Sequence, residues 1–371
     1  MKKILFTLLA AFTLFACAPA DSYKISGVYK DAPENGKVYL AQLTSSSIDY
    51  IDSTEIKNDC FELTGKQDES IVRFIFYPLA EGGEDIIPIV LENGNISVNI
   101  EKYGATLSGT KLNNAMQKYT EEFHEVTRRA EKAFLAIRNI DNLSPEKRDS
   151  LQAVADALSG EISQVIFDHI SANIENPIGA FIISTAGAMC LPEKLCDIID
   201  SVPEEFRDER FTQFYNMFKE DIKRRIGAIE TAEGGKYINF ELKDINGKET
   251  LFSTIVENNK YTLLDFWASW CAPCRKAMPG IKKIYEKYGN KGLAVVSLSL
   301  DTDGEAWKKA VADLGMTWTQ LCNPDGGSNQ VGQAYGIEFI PTVLIIDKAG
   351  KIVARGLTEE ALEAKIDELM K

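Results

Sequence analysis

Thr262-Leu263-Leu264-Asp265-Phe266-Trp267-Ala268-Ser269-Trp270-Cys271-Ala272-Pro273-Cys274 joins two kinds of local pattern. Its first six residues form a nearly continuous apolar run, the pattern of a strand covered on both faces. A helical pattern follows from about 272 to 289. The two cysteines, three positions apart, therefore fall on a first helical turn, close enough to form a disulfide. The positive end of the helix stabilises a thiolate on Cys271, which is expected at an exposed tip. A lowered pKa makes Cys271 the attacking nucleophile. Cys274, one turn in, is expected to be more buried and to resolve a mixed disulfide by intramolecular attack. Pro273 suits an early helical position.

Other chemistries fit less well. A tetrahedral zinc site needs two more ligands, and residues 236–371 offer only Cys322 and no histidine. The spacing upstream of Cys271 and Cys274 does not meet the peroxiredoxin pattern. The whole chain has two histidines, His124 and His169, which excludes a three-histidine metal centre. No Cys-His pairing is expected in the C-terminal domain, and there is no Gly-rich phosphate loop or cofactor fingerprint.

Outward from this stretch, strand and helix patterns alternate. Leu293 to Leu300 reads as a second buried strand, 304–315 as a helix, and Thr342-Val343-Leu344-Ile345-Ile346 as a further strand. Asp347 to Gly350 turns into Lys351-Ile352-Val353-Ala354, and Leu362, Ile366 and Leu369 mark a closing helix. Residues 236–371 thus read as an α/β domain with a mixed central sheet.

Three segments here resemble one family. Residues 265–274 resemble the active-site strand and turn of thioredoxins. Pro279 matches the proline within that family's active-site helix. Gly336-Ile337-Glu338-Phe339-Ile340-Pro341-Thr342 resembles the segment with its cis-proline. The stretch 301–335 resembles the insertion of extracytoplasmic TlpA/ResA-type members. The resemblance implies a thioredoxin-like fold and a thiol-disulfide oxidoreductase whose redox agent is the cysteine pair itself, with no cofactor. It implies disulfide-containing protein substrates, mostly reduced, and a membrane electron donor of the DsbD/CcdA type. By the same resemblance Pro341 is cis and offers the backbone of Ile340 to an extended substrate. Asp265 relays a proton to the buried cysteine, burial raising its pKa. The lysine that thioredoxins carry on the neighbouring strand falls at about Ser297 here. Trp270 either shields the site and meets partners or simply packs. Oxidase and isomerase directions would use the same residues. In a different reading the N-terminal region captures a partner and the α/β domain is a passenger.

The remainder of the chain is a different object. Of 41 basic and 55 acidic side chains, residues 236–371 hold 17 and 18, so the net charge of −14 sits almost wholly in residues 1–235. Such an acidic chain lacks the field of a general nucleic-acid binder. Lys2 and Lys3 precede an apolar run, Ile4 to Ala16, which at about 20 Å as a helix is short of a bilayer core. Leu14-Phe15-Ala16-Cys17 resembles the bacterial lipobox, which implies a signal peptide over 1–16 and a lipid anchor on Cys17. The body is then expected in the cell envelope, facing the periplasm.

Residues 17–110 read as a small antiparallel β-domain, with Val38-Tyr39-Leu40 and the alternating Ile96, Val98 and Ile100 on strands. Asn93-Gly94 reads as a hairpin turn, and Asn35-Gly36 precedes another strand. Residues 111–235 read as a helical region. Met116, Tyr119, Phe123, Val126, Ala130, Phe134 and Ile137 form one stripe. Leu151, Val154, Leu158, Ile162, Val165 and His169 form another, opened by Ser144-Pro145, with His169 at the core edge. Gly234-Gly235 marks the boundary. The β-rich and helical regions resemble, more weakly, the segment ahead of this domain in Bacteroides-type lipoproteins. Cys190 and Cys196 are spaced for a local disulfide or stay thiols.

Overall fold

The computed structural model describes residues 21–101, 104–138 and 145–371. The expected signal segment with Cys17, and the Ser144 cap, lie outside these residues, as does the side chain of Ile137. The chain forms two compact units, Met1–Asn216 and Met217–Lys371.

Among the described residues of the first unit eight strands come first: β1 (Tyr23–Tyr29), β2 (Lys37–Leu43), β3 (Ile48–Glu55), β4 (Cys60–Gly65), β5 (Ile71–Pro78), β6 (Glu84–Leu91), β7 (Gly94–Glu101) and β8 (Gly104–Ser108). They form two four-stranded sheets, β4-β1-β7-β8 and β3-β2-β5-β6. The pairing is antiparallel apart from β1 with β7, which run parallel. Ile96, Val98 and Ile100 are buried, as their alternation demands. Asn93-Gly94 does not make a hairpin. It carries the chain from β6 in one sheet to β7 in the other, and the Gly94 N–H bonds to Ser22 O at 2.9 Å. A turn dipeptide signals a reversal but not which strands then pair, and here β7 finds β1 across the sequence.

Five helices follow: α1 (Lys111–Arg138), α2 (Pro145–Ala172), α3 (Pro177–Ala186), α4 (Pro192–Ile198) and α5 (Glu209–Glu230). On α1, Met116, Tyr119, Val126 and Ala130 are buried, while Phe134 is exposed. On α2 the buried line runs through Ala155, Leu158, Ile162, Ile166 and Ile170, and Val154 faces out. His169 is buried at the core edge, its Nε2 2.8 Å from Glu122 Oε2 and its ring edge-on to Tyr119. No bond joins Cys190 to Cys196. The Cys190 thiol is buried 3.9 Å from Ser163 Oγ, and desolvation raises its pKa. The fully buried Asn113 of α1 accepts from Val90 N–H at 2.9 Å and donates to Val90 O at 2.7 Å, tying α1 to β6.

The second unit begins inside α5 and not at Gly234-Gly235. The last turns of α5 belong to its core for a steric reason. A Cβ on Gly227 would meet Ala334 O at 2.0 Å, so only glycine permits the approach. Beyond it, Thr231 Oγ1 donates to Tyr335 O at 2.9 Å.

The strands here are β9 (Glu241–Lys243), β10 (Glu249–Leu251), β11 (Tyr261–Trp267), β12 (Leu293–Ser299), β13 (Thr319–Leu321), β14 (Thr342–Asp347) and β15 (Ile352–Arg355). The helices are α6 (Phe252–Asn258), α7 (Ala272–Tyr288), α8 (Gly304–Asp313), α9 (Gly327–Ala334) and α10 (Glu359–Leu369). Five strands form a mixed sheet in the order β13-β12-β11-β14-β15. β12 and β13 continue parallel to the central β11, β14 runs antiparallel to it, and β15 is antiparallel to β14. Leu263, Val295 and Ile345 face Met278, Ile281 and Ile284 of α7. Leu264, Phe266, Val296 and Leu344 face the opposite core with Phe252 and Tyr335. Two covered faces account for the unbroken apolar run of β11.

Candidate active site

The central strand delivers its C-terminal end to a tight connection, Ala268 to Trp270, and α7 starts there. Cys271 is the N-cap of α7, with Pro273 in its first turn. The residue that ends the strand pattern is thereby the first to face the helix amides. Cys271 and Cys274 are joined in a disulfide with Cα atoms 5.3 Å apart. The Cys274 N–H points at Cys271 Sγ from 3.2 Å. On reduction this amide and the helix end stabilise a thiolate at Cys271 and offer nothing comparable to Cys274. No acidic side chain lies in the first turn of α7 to oppose that effect.

Cys274 is fully buried, as expected. Cys271 is 5% exposed, so it is not the exposed tip anticipated from its place at a helix start. Its sulfur is tucked against Cys274 and lies 3.7 Å from Ile340 O. The exposed groups are its neighbours: Trp270 is 69% and Phe339 71% exposed. Trp270 therefore does not pack into the core, a task that the fully buried Trp267 performs. Phe339 was legible only as part of the Gly336–Thr342 segment. Nothing local in the sequence marked it as a large apolar side chain held in water.

Ile340-Pro341 is a cis peptide, as the resemblance implied. Pro341 and Asp265 both line a cavity of about 260 Å³ whose other walls come from α7 and the start of α10. Asp265 is fully buried on β11, directly opposite Ser297 of β12. The lysine position is thus filled by a hydroxyl. Ser297 Oγ donates to Asp265 Oδ2 at 2.9 Å, and Trp318 Nε1 donates to Ser297 Oγ at 2.9 Å. Asp265 Oδ1 has no partner among the described residues. Desolvation therefore dominates, and the Ser297 bond only partly offsets it: the carboxyl is pushed up to about 7. An acid in this range exchanges a proton readily near neutral pH.

One further residue holds the site. Asp301, just beyond β12, is 2% exposed and accepts from Ser269 N–H at 2.8 Å, Ser269 Oγ–H at 2.7 Å and Ser299 Oγ–H at 2.5 Å. It fastens the connection two residues before Cys271. A carboxylate next to a strand end gives no local pattern, so this role was not readable from the sequence. Asp301→Ala leaves the buried Ser299 hydroxyl and the part-buried Ser269 donors unpaired. It is expected to destabilise the oxidised protein by about 1–3 kcal/mol per unpaired donor in chemical denaturation. An unchanged midpoint would mean that the hydrogen bonds contribute nothing.

Sequence comparison places these features in a family. Residues 258–352 match the thioredoxin-like family, and residues 23–116 match a domain of unknown function, DUF4369. Thiol-disulfide oxidoreductase ResA of Bacillus thuringiensis is 31% identical over 153 residues, 41% of this chain and 82% of the relative. ResA of Bacillus subtilis is 28% identical over 144 residues, 39% of this chain and 77% of the relative. Among solved structures, a thiol-disulfide oxidoreductase from Bacteroides fragilis NCTC 9343 is 36% identical. That match covers 36% of this chain and 98% of the other, with a TM-score of 0.34. The thioredoxin-like match spans the segments that build the disulfide, the buried acid and the cis-proline, and with ResA at 31% identity over 82% of its length the chain belongs to the thioredoxin-like thiol-disulfide oxidoreductases of the ResA family.

Proposed function

We propose that the protein is a membrane-anchored reductase of protein disulfides in the cell envelope, acting through Cys271 and Cys274. The observation that carries this reading is the Cys271 sulfur at the start of α7, facing the Cys274 amide and the Ile340 carbonyl. The reduced Cys271 thiolate attacks one sulfur of a substrate disulfide. A mixed disulfide forms and the other substrate sulfur leaves as a thiolate. Cys274 loses its proton to Asp265 and attacks Cys271 Sγ. The second substrate thiolate leaves, the enzyme ends as the disulfide, and two electrons have passed to the substrate. The substrate backbone lies along Ile340 beside Pro341, and Trp270 with Phe339 flanks the entering disulfide. A dithiol donor of the DsbD/CcdA type in the membrane returns the electrons. Lipid on Cys17 after removal of residues 1–16 keeps the body near that donor.

The reductive direction rests on the resemblance to TlpA/ResA-type members. Its test is the reduction potential of the Cys271–Cys274 couple, read on the lipid-free body in a defined thiol buffer. A value near the thioredoxin end, about −270 mV, is expected. A value near the strongly oxidising end, about −120 mV, would make the protein a disulfide donor and overturn the direction.

Exposed aromatic rings beside a covered sulfur select for large substrates. Replacing both Trp270 and Phe339 by Ala is expected to lower kcat/KM for a folded protein disulfide by roughly tenfold, about 1.4 kcal/mol of lost contact. Turnover of a small disulfide such as oxidised glutathione should change little. Equal losses on both substrates would assign the rings to the chemistry itself instead of to docking.

A further inference from the structure

The first unit contains a cavity that the disulfide chemistry does not use. It measures about 180 Å³ and lies between β5, α3 and the turn that leads into α5. An interior cavity of about 150 Å³ already admits benzene, so a small ring with one substituent fits here. Phe74 and Phe181 supply aromatic walls, their ring centres 6.1 Å apart. Arg73, Arg207 and Arg210 also line it.

These arginines are not equivalent. Arg207 is spent on structure: its Nε and Nη2 donate to Val202 O at 2.9 and 2.7 Å. Arg210 lies over the Phe74 ring at 5.1 Å. Its Nε is buried with no partner among the described residues, and its Nη2 is 3.3 Å from Asp208 Oδ2. Arg73, half-buried on β5, donates from Nη1 to the carbonyl of its own neighbour Val72 at 2.9 Å. Burial lowers its pKa, the nearby Arg210 charge adds to that, and Asp208 opposes it. Asp208 is already engaged as the acceptor of Phe211 N–H at 2.8 Å at the start of α5. The other acids on the lining, Glu69 and Glu205, are exposed and keep their hydration. The cavity therefore holds two guanidinium groups against one exposed carboxylate, Asp208, which pairs with Arg210 at 3.3 Å and leaves the buried Arg210 Nε without an acceptor among the described residues. A buried donor without an acceptor is costly, and so are two like charges in one hollow.

We propose that this cavity binds a small organic carboxylate bearing an apolar group. The carboxylate would lie between Arg73 and Arg210, and the apolar group against Phe74 and Phe181. A planar carboxylate matches the guanidinium fork, and the aromatic walls reward an apolar substituent. The strong negative charge of residues 1–235 weighs against a doubly charged phosphate. The carboxylate can come from a free metabolite or from the C-terminus of a peptide.

Calorimetric titration of the whole protein at pH 7 tests this, with benzoate, N-acetylphenylalanine and inorganic phosphate as probes. Saturable binding of benzoate or N-acetylphenylalanine is expected, weakened at least tenfold in Arg73→Gln and in Arg210→Gln. The more peptide-like probe binding tighter would point to a chain terminus, benzoate binding tighter to a free acid. Arg73→Lys and Arg210→Lys keep the charge without the fork, and weaker binding in these milder variants is also expected. Circular dichroism and disulfide exchange by the Cys271–Cys274 pair should match wild type in each variant. No saturable binding of either carboxylate by the wild-type protein overturns the proposal. So does binding that the arginine substitutions leave unchanged, or phosphate binding tighter than both.

Discussion

Cys271→Ser is expected to abolish disulfide exchange, while Cys274→Ser is expected to stop it midway. A serine at the start of α7 can still accept the Cys274 amide that now points at Cys271 Sγ from 3.2 Å, so the fold has no reason to fail. It cannot act as a thiolate. The loss should be on the order of 10³-fold or more, as removal of a nucleophile costs elsewhere. Cys274→Ser keeps the nucleophile and its helix end but removes the resolving thiol. The first attack then proceeds and the mixed disulfide accumulates, visible as a covalent adduct on non-reducing gels and by intact mass. The asymmetry follows from burial: Cys274 is fully covered, so an incoming substrate meets Cys271 first. Exchange that persists in Cys271→Ser would remove the catalytic assignment. Adducts formed through Cys274 in that variant would reverse the order of attack. A partner-binding protein with an idle α/β domain would lose nothing in either variant.

Asp265→Asn is expected to change both stability and rate in a pH-dependent way. Burial pushes the folded carboxyl up to about 7, well above the ordinary aspartate range. Its folded pKa is raised, so the sign is the reverse of an ordinary salt-bridged acid. Below about pH 4 the group is neutral in both states and costs nothing. As pH rises from about 4 to 7 the unfolded chain gives up this proton while the folded protein keeps it, so stability falls relative to the variant, and above 7 both states are charged and the difference stays constant. A rise of this size corresponds to a penalty on the order of a few kcal/mol at alkaline pH. Chemical denaturation of oxidised wild type and Asp265→Asn from pH 4 to pH 9 gives the difference curve directly. The variant should gain on wild type between about pH 4 and pH 7 and then level off. A flat difference would show that Asp265 titrates as an ordinary carboxyl. In the reduced enzyme the same change removes the proton acceptor for Cys274. Release of the mixed disulfide should slow on the order of 10²-fold, and the pH–rate limb near 7 should disappear. A rate loss without loss of that limb would confine Asp265 to a structural role.

The two cysteines were legible because each depends on local pattern. An apolar run ending in Ser269-Trp270-Cys271 forces a strand-to-helix junction, and a junction places its first cysteine on the helix amides. That Ser297 stands beside Asp265 was legible only through the resemblance, which puts the family's strand lysine at about that position, and β11 and β12 do pair the two residues. The expected hairpin at Asn93-Gly94 failed for the opposite reason. Turn chemistry lies within four residues, whereas the partner of β7 is β1, about seventy positions earlier. The domain boundary followed suit. Gly234-Gly235 is a true break in pattern, yet the close approach of Gly227 to Ala334 draws the end of α5 into the second unit.

By itself the sequence determined which cysteine opens the helix, which lies one turn in, and that an acid sits inside a buried strand, because helix ends and apolar runs act over one or two turns. Only the tertiary structure decided how that chemistry is presented. Folding the Ile340-Pro341 segment against α7 covers Cys271 and leaves Trp270 and Phe339 in water. Folding β11 behind α7 and the start of α10 gives Asp265 its cavity and its raised pKa. Asp301 reaches Ser269 across thirty-two positions, and Arg73 meets Arg210 across more than a hundred. Coverage, desolvation and the meeting of distant charges are properties of what surrounds a residue, and its neighbours along the chain do not encode them.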